Sequence, residues 1–172
     1  MAREGRKRRT IKRYSAEHLA AVAIATVLSV VAIIFVVQEL ATRPILVASL
    51  GSSAFLLYFQ PRNEVNNFKP LVFGHLLAAV TGYGANLLFP EPYLSVASGL
   101  AVTVLLLAAL RLVHPPAIST SLVFAYRPEQ AVAIVTFGLT LAVVVALALI
   151  YFFLRHGISA TRWATLFHPE EA

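Results

Sequence analysis

The sequence predicts an all-α membrane protein, a polytopic transmembrane helical bundle of about six membrane segments, two of them short. The first reason is composition, since 59% of the residues are hydrophobic, only 13% are charged and the mean hydropathy is +0.78. Soluble domains carry about a quarter charged residues. The second reason is that the apolar residues form runs as long as membrane helices, separated by short polar links. We therefore expect one membrane domain.

The chain begins with a basic tail, residues 1–15, which holds seven of the 14 lysines and arginines. Such a tail could bind nucleic acid, but beside a first apolar span its expected role is to orient the chain and to contact anionic lipid on the cytoplasmic face. The expected partner is thus membrane lipid and not nucleic acid. The next run, 16–38, is too long for a signal peptide and is interpreted as a retained first span.

The second segment, residues 44–59, is short. As a helix it reaches about 24 Å, which is less than a typical hydrocarbon core, so it must be surrounded by protein or begin below the membrane surface. A polar loop, residues 60–69, follows it.

The third and fourth spans, residues 70–89 and 93–113, each carry small residues at every fourth position. Such a row lets another helix backbone approach closely and predicts helix packing. The rows are Gly74, Ala78, Gly82 and Asn86 in the third span, and Ser95, Gly99 and Thr103 in the fourth.

The fifth segment, residues 115–126, would reach only about 18 Å as a helix and cannot cross the bilayer alone. Whether it crosses with its flanking residues or re-enters stays open. The sixth span, residues 130–154, is long and nearly uniformly apolar. A polar tail, residues 155–172, completes the chain, with Trp163 as an expected anchor at the membrane interface.

The two short segments occupy matching places in the chain. Each begins at proline, and SSAFLLYFQP, residues 52–61, aligns with STSLVFAYRP, residues 119–128. This alignment predicts two halves of three segments each, which an odd number of crossings would relate as inverted repeats. Short, interrupted segments at corresponding positions of two such halves indicate a transport site.

Charge placement favours cytoplasmic termini. With six crossings, 12 lysines and arginines lie inside and 2 outside; with a re-entrant fifth segment the division becomes 11 to 3 and the C-terminus moves outside. We expect a multi-pass protein of the cell membrane with three parts, the basic tail 1–15, the transmembrane domain 16–154 and the polar tail 155–172.

Helix starts inside the membrane are the strongest indication of a binding site. Pro44 and the pair Pro115-Pro116 suit the first turn of a helix, and the free N–H groups there, near residues 117–119 in the second case, attract anions. The alternative is that the prolines only kink the chain and the hydroxyls bond their own backbone. The predicted anion-binding residues are His75, His114, Pro115, Pro116, Ser52, Ser53, Ser119 and Thr120, with Arg111 and Lys69 as charges at the entrance.

Catalysis is not expected. The chain has no cysteine, no aspartate and no recognisable enzyme motif, so no catalytic residue and no cofactor is predicted. The spacing of His75, His114 and His156 does not resemble that of metal ligands, and no metal is predicted.

Three strings, GSSAFLLYF (51–59), GHLLAAVTG (74–82) and HPPAISTSLVF (114–124), resemble the HPP family of small integral membrane proteins, named for its His-Pro-Pro tripeptide. The resemblance implies a helical membrane domain and, from some cyanobacterial and plastid members, nitrite transport. The chain departs from the family pattern at FKPLVF, before Gly74, and at AIST, after the tripeptide. These departures bear on the substrate more than on the fold.

The predicted function is a transporter or channel for a small inorganic anion, with nitrite first. The alternative is a non-transporting membrane scaffold or sensor whose basic tail binds lipid or a partner. Self-association into a homo-oligomer is left open.

Overall fold

The computed structural model describes residues 15–36, 44–60, 63–126, 130–157 and 160–167, and within these ranges it contains helices and no strand. The helices are α1 Ala16–Val36, α2 Pro44–Phe59, α3 Phe68–Leu88, α4 Pro92–Ala109, α5 Pro115–Ala125, α6 Gln130–Gly157 and α7 Ala160–Phe167, with a 3-10 helix Glu64–Asn66 before α3. The predicted fold class, an all-α membrane bundle, is confirmed.

Three described helices are long and apolar enough to cross a membrane, namely α1, α3 and α4. Among the described residues, three further apolar helical stretches are shorter: Pro115–Ala125 is α5, while Ala48–Phe59 and Thr140–Phe153 are parts of α2 and of the 28-residue α6. The two segments predicted to be short are thus short helices, with 16 residues in α2 and 11 in α5. Both begin at the predicted prolines, where a missing N–H does not interrupt the helix.

Helix α4 ends earlier than predicted. Arg111 has a positive φ of 55°; its amide donates to the Ala108 carbonyl at 3.2 Å, and the Leu112 amide donates to the Leu107 carbonyl at 2.9 Å. This pair of bonds is a common helix ending whose left-handed position usually holds glycine. His114 is then extended, at φ −136° and ψ 96°, because a following proline disfavours helical backbone. The predicted end of the span at residue 113 was wrong.

The small-residue row of α3 packs against α5 and the link before it, as predicted. A Cβ added at Gly82 would lie 3.0 Å from the Cα and carbonyl carbon of Ser121 and closer still to its carbonyl oxygen. A Cβ added at Gly74 would lie 3.2 Å from the Leu112 carbonyl oxygen and 3.4 Å from the Cβ of His114. The Asn86 amide donates to the α5 carbonyl of Ala125 at 3.1 Å.

The row on α4 completes this unit. A Cβ at Gly99 would lie 3.2 Å from the Cβ atoms of both Ala85 and Ala125. The Ser95 hydroxyl donates to the Ala125 carbonyl at 2.8 Å. Helices α3, α4 and α5 therefore form a unit in which backbones approach closely, as small residues allow.

The helix contacts agree with two related halves. In a repeat of three segments, α1, α2 and α3 correspond to α4, α5 and α6. The contact α1–α2 then corresponds to α4–α5, the contact α2–α6 to α3–α5, and the contact α1–α6 to α3–α4. All six contacts are present. Helices α2 and α5 also touch each other. They run in opposite directions, since Ser49 contacts Thr120 and Ser53 contacts His114. Antiparallel partners are what an inverted repeat requires.

The C-terminal region contains a helix that the sequence analysis did not predict. Helix α6 continues to Gly157, and α7 lies against α1 and α6. Trp163, predicted to sit at the membrane interface, is only 5% exposed and packs on Tyr151 and Phe167, with ring centroids 5.8 and 4.3 Å away. The inward face of α7 is apolar, while Arg162 on the same helix is exposed.

Candidate functional site

Two histidines and two hydroxyls predicted from different segments meet in the interior. The Ser53 Oγ lies 3.2 Å from His75 Nε2 and 3.0 Å from His114 Nε2, and His75 Nδ1 lies 2.7 Å from Thr120 Oγ1. These four side chains are at most 3% exposed. They come from α2, α3, the α4–α5 link and α5, so the site forms only when these segments pack together.

Ser49 extends the group, although the sequence analysis missed it. Its hydroxyl donates to the Pro116 carbonyl at 2.8 Å and lies 3.4 Å from Thr120 Oγ1. The available signal was its position four residues before Ser53, which places both hydroxyls on one face of α2. We call Ser49, Ser53, His75, His114 and Thr120 the polar cluster.

The internal alignment accounts for the central position of His75. Ser53 and Thr120 align with each other in the two matching segments, and they bond opposite nitrogens of the same imidazole. The His75 ring therefore joins equivalent hydroxyls of the two halves.

The bonding of Ser53 adds a constraint, because a hydroxyl carries one proton. For both bonds to form, Ser53 donates to one imidazole and accepts from the other.

Local backbone structure explains how the histidines come close. The absence of a side chain at Gly74 lets the link before α5 lie directly against α3, and the extended backbone of His114 precedes the helix start at Pro115. As a result the two imidazole centroids are 5.4 Å apart. A side chain at position 74 would press on the Leu112 carbonyl oxygen, so the link that carries His114 would have to shift by a few tenths of an ångström.

The start of α5 differs in one respect from the expectation. The amide of Ala117, predicted to be free for an anion, donates to the His114 carbonyl at 2.9 Å. Prolines 115 and 116 have no N–H to offer, and the Pro116 carbonyl accepts from Ser49. The polar atoms that meet around Ser53 are therefore side-chain groups, and the prolines position them.

A cavity of about 20 Å³ adjoins the cluster, roughly enough for one water molecule. Helix α6, which the sequence analysis left out of the site, closes it through Thr140, only 6% exposed, and three apolar residues. A second cavity of about 10 Å³ continues past His75 and Thr140. The first is lined by Ser49, Leu50, Ser53, His75, Thr120, Thr140, Val143, Val144 and Leu147.

The other predicted site residues lie outside the cluster. Ser52 is exposed and donates to carbonyls of its own helix, at 3.0 Å to Ala48 and 3.0 Å to Ser49, as the alternative interpretation of the hydroxyls proposed. Ser119 is half-buried on α5.

The predicted entrance charges, Lys69 and Arg111, are both exposed. Arg111 stands in the link beside Leu112, which touches Gly74, six residues into α3. At the rise of an α-helix, six residues place the link about 9 Å along the axis of α3 from its first residue. Along the axis of α3, Lys69 therefore lies in the first turn, and the link that carries Arg111 lies further along the helix.

A second group of hydroxyls is structural. Thr103 Oγ1 donates to Ser121 Oγ at 2.8 Å and lies 2.6 Å from Thr81 Oγ1. Both threonines also bond carbonyls of their own helices. The group joins α3, α4 and α5 across their small-residue contacts.

The described residues contain no group of three His, Cys, Asp or Glu side chains that could hold a metal ion. His156, the third histidine considered for such a site, is exposed and lies 2.9 Å from the carbonyl of Phe152 on its own helix.

One family model matches the chain. It is described as "HPP, transmembrane region" and covers residues 11–159, which include α1 to α6 and the whole polar cluster. No curated protein and no solved structure matches the chain.

Proposed function

The chain belongs to the HPP transmembrane family, and from this premise we propose that it is a multi-pass protein of the cell membrane that transports or conducts a small inorganic anion, with nitrite as the first candidate. In this proposal the chain has six membrane segments and both termini in the cytoplasm. The basic tail is the main support for that orientation.

The polar cluster is the observation that carries the proposal. Ionisable side chains in membrane segments are costly, and those that occur usually mark a transport pathway. Here two imidazoles lie beside the paired short helices α2 and α5, where repeat-built transporters bind their substrates. Hydroxyl and imidazole N–H groups are the donors that an anion of single charge requires.

The size of the cavity indicates how transport would proceed. Nitrite has three heavy atoms, whereas the space beside Ser53 and Thr120 fits one water. An anion therefore enters only when the cluster exchanges its internal hydrogen bonds or when α6 moves at Thr140. Each exchanged bond is worth about 1 kcal/mol, so the site binds weakly and releases readily.

The experiment is anion flux into liposomes that contain the purified protein. We expect nitrite uptake above protein-free liposomes, with nitrate, formate and chloride as the comparison panel. Ser53→Ala, His114→Ala and the pair Ser119→Ala with Thr120→Val should each lower uptake severalfold. Ser98→Ala is the matched control, because Ser98 bonds carbonyls of its own helix, at 2.7 and 3.1 Å, away from the cluster.

Uptake no faster than in protein-free liposomes for every anion would refute the proposal. Wild-type uptake in all the cluster variants, at pH 6 and at pH 8, would refute the assignment of the site. The variants need unchanged elution volumes for the comparison to hold.

A non-transporting scaffold or sensor is the second candidate. It is favoured by the way the cluster satisfies its own hydrogen bonds and by the seven basic residues at the N-terminus. This candidate predicts strong binding to anionic vesicles and no flux, so the same liposomes distinguish the two functions.

A further inference from the structure

We propose that the polar cluster is a proton relay, and that anion movement through this protein is coupled to a proton. The relay is argued from the hydrogen-bond geometry of the cluster. The coupling rests on the proposed anion transport. A proton gradient would then drive the anion, and the membrane potential would not oppose it, because one anion moving together with one proton transfers no net charge.

The cluster has two complete arrangements of its protons. In the first, His114 Nε2–H donates to Ser53, Ser53 donates to His75 Nε2, and His75 Nδ1–H donates to Thr120. In the second, every bond is reversed: Thr120 donates to His75 Nδ1, His75 Nε2–H donates to Ser53, and Ser53 donates to His114. Both arrangements keep the imidazoles neutral and keep these three bonds, since each of the four groups can donate or accept.

Passage of one proton converts the first arrangement into the second. A proton that binds His114 Nδ1 makes this imidazole a cation, which releases its Nε2 proton to Ser53. Ser53 releases its own proton to His75 Nε2, and His75 releases its Nδ1 proton to Thr120. Thr120 then releases its original proton to the adjoining cavity, which it lines and which fits one water, so one proton enters and one leaves while Ser49 keeps its bond to the Pro116 carbonyl.

The two ends of the relay lie in different surroundings. His114 is itself fully buried, but it belongs to the α4–α5 link, whose neighbouring residues Arg111 and Val113 are exposed. At the other end, Ser49 and Thr120 line the cavity that fits one water, and Thr140 continues the polar path into the second cavity. Chains of histidines and hydroxyls are used as proton pathways in membrane proteins.

Among the described residues, few other charged or titratable groups lie near the cluster. On α3, Lys69 lies six residues before His75, and on the link, Arg111 lies three residues before His114. On α2, Tyr58 is turned to Ser29 of α1, 2.7 Å away. The described α5 and α6 side chains that line the first cavity are hydroxyls and apolar groups. The two imidazoles are therefore the groups that exchange protons here.

The relay is tested without transport by nitrogen NMR of the full-length protein with ¹⁵N-labelled histidine. We expect both neutral tautomers of His75, with the proton on Nδ1 in one arrangement and on Nε2 in the other. Thr120→Val removes the partner of Nδ1 and should leave only the Nε2–H tautomer. Thr120→Ser keeps the hydroxyl and should restore both. A single fixed His75 tautomer in the wild-type protein between pH 6 and pH 8 overturns the relay.

The coupling is tested in liposomes that trap a pH-sensitive dye, with protein-free liposomes subtracted. Nitrite entry should acidify the lumen and should not respond to a potential set with potassium and valinomycin. A gradient of one pH unit, acid outside, should raise internal nitrite about tenfold. Nitrite entry without acidification overturns the coupling and leaves anion transport standing. Two His75 tautomers with no flux of any anion would refute the proposed function and leave the relay standing.

Discussion

Replacing Gly82 with alanine tests the close approach of α3 to α5 most directly. The added methyl would lie 3.0 Å from two backbone carbons of Ser121 and closer to its carbonyl oxygen. Backbone cannot rotate away as a flexible side chain can, so the two helices have to separate. The matched control is Gly84→Ala, two residues later on the same helix, where an added methyl would meet nothing within 4 Å.

The magnitude follows from two opposing terms. Alanine is favoured over glycine inside a helix by up to about 1 kcal/mol, and this term applies to both variants. Overpacking costs about 1–3 kcal/mol and applies only at position 82. Gly84→Ala should therefore be neutral or stabilising and Gly82→Ala destabilising, with a difference of about 1–3 kcal/mol that isolates the steric cost.

Thermal unfolding of the purified protein in detergent, followed by loss of the monodisperse elution peak, measures this difference. At about 2–4 °C per kcal/mol, the midpoint of Gly82→Ala should lie at least about 2 °C below that of Gly84→Ala. Equal midpoints would show that α3 and α5 are not in backbone contact. Gly82→Leu should lower the midpoint further, and by more than Leu76→Ala.

Three further outcomes are expected. Arg111→Gly should raise the unfolding midpoint, because glycine relieves a left-handed backbone position that costs other residues about 1–2 kcal/mol. Arg111→Gln, the control, should leave the midpoint unchanged. A lower midpoint for the glycine variant would contradict the helix ending. Cysteines placed singly at Ser15 and Thr165 should react equally with an impermeant thiol reagent in oriented vesicles, and opposite labelling would rule out cytoplasmic location of both termini. Ser95→Ala should cost about 0.5–1.5 kcal/mol, because the Ala125 carbonyl loses one of its two donors and keeps the Asn86 amide. The cost should exceed that of Ser98→Ala, whose hydroxyl bonds only its own helix; equal midpoints would remove the role assigned to the Ser95 bond.

The sequence pattern was sufficient to predict the bounds of the two short helices and the close contact that α3 makes. Helix α2 has the predicted bounds, and α5 differs by one residue, because prolines mark both starts and polar residues follow both ends. The row of small residues on α3 predicted a close contact, and Gly74 and Gly82 make it. Period and residue size are local properties, so the sequence alone contains them.

The membership of the cluster was predictable only in part. Ser52 and Ser53 are adjacent in sequence, but consecutive helix positions point about 100° apart, so only one of them faces α5. The alignment of the two halves places Ser53 opposite Thr120, and in the structure both hydroxyls lie within hydrogen-bond distance of the His75 ring. It could not show that Ser49 and Thr140 join them, because that depends on how α2 and α6 are placed against α5.

The end of the chain was missed for a different reason. Its apolar residues are few and were counted as part of a polar tail, yet the eight residues of α7 place Trp163 and Phe167 on one side. In so short a segment, packing against α1 and α6 decides the structure.

The contrast between the two kinds of contact around α5 determines which parts of the protein would move. Towards α3, Gly82 brings this helix against backbone atoms of Ser121, which cannot rotate away. The Asn86 and Ser95 side chains add hydrogen bonds from α3 and α4 to its Ala125 carbonyl. Towards α2, it is joined through Ser49 and Ser53 by hydrogen bonds that water or an anion can replace one at a time. The assembly of α3, α4 and α5 would therefore act as the fixed frame, and α2 as the gate that swings from it.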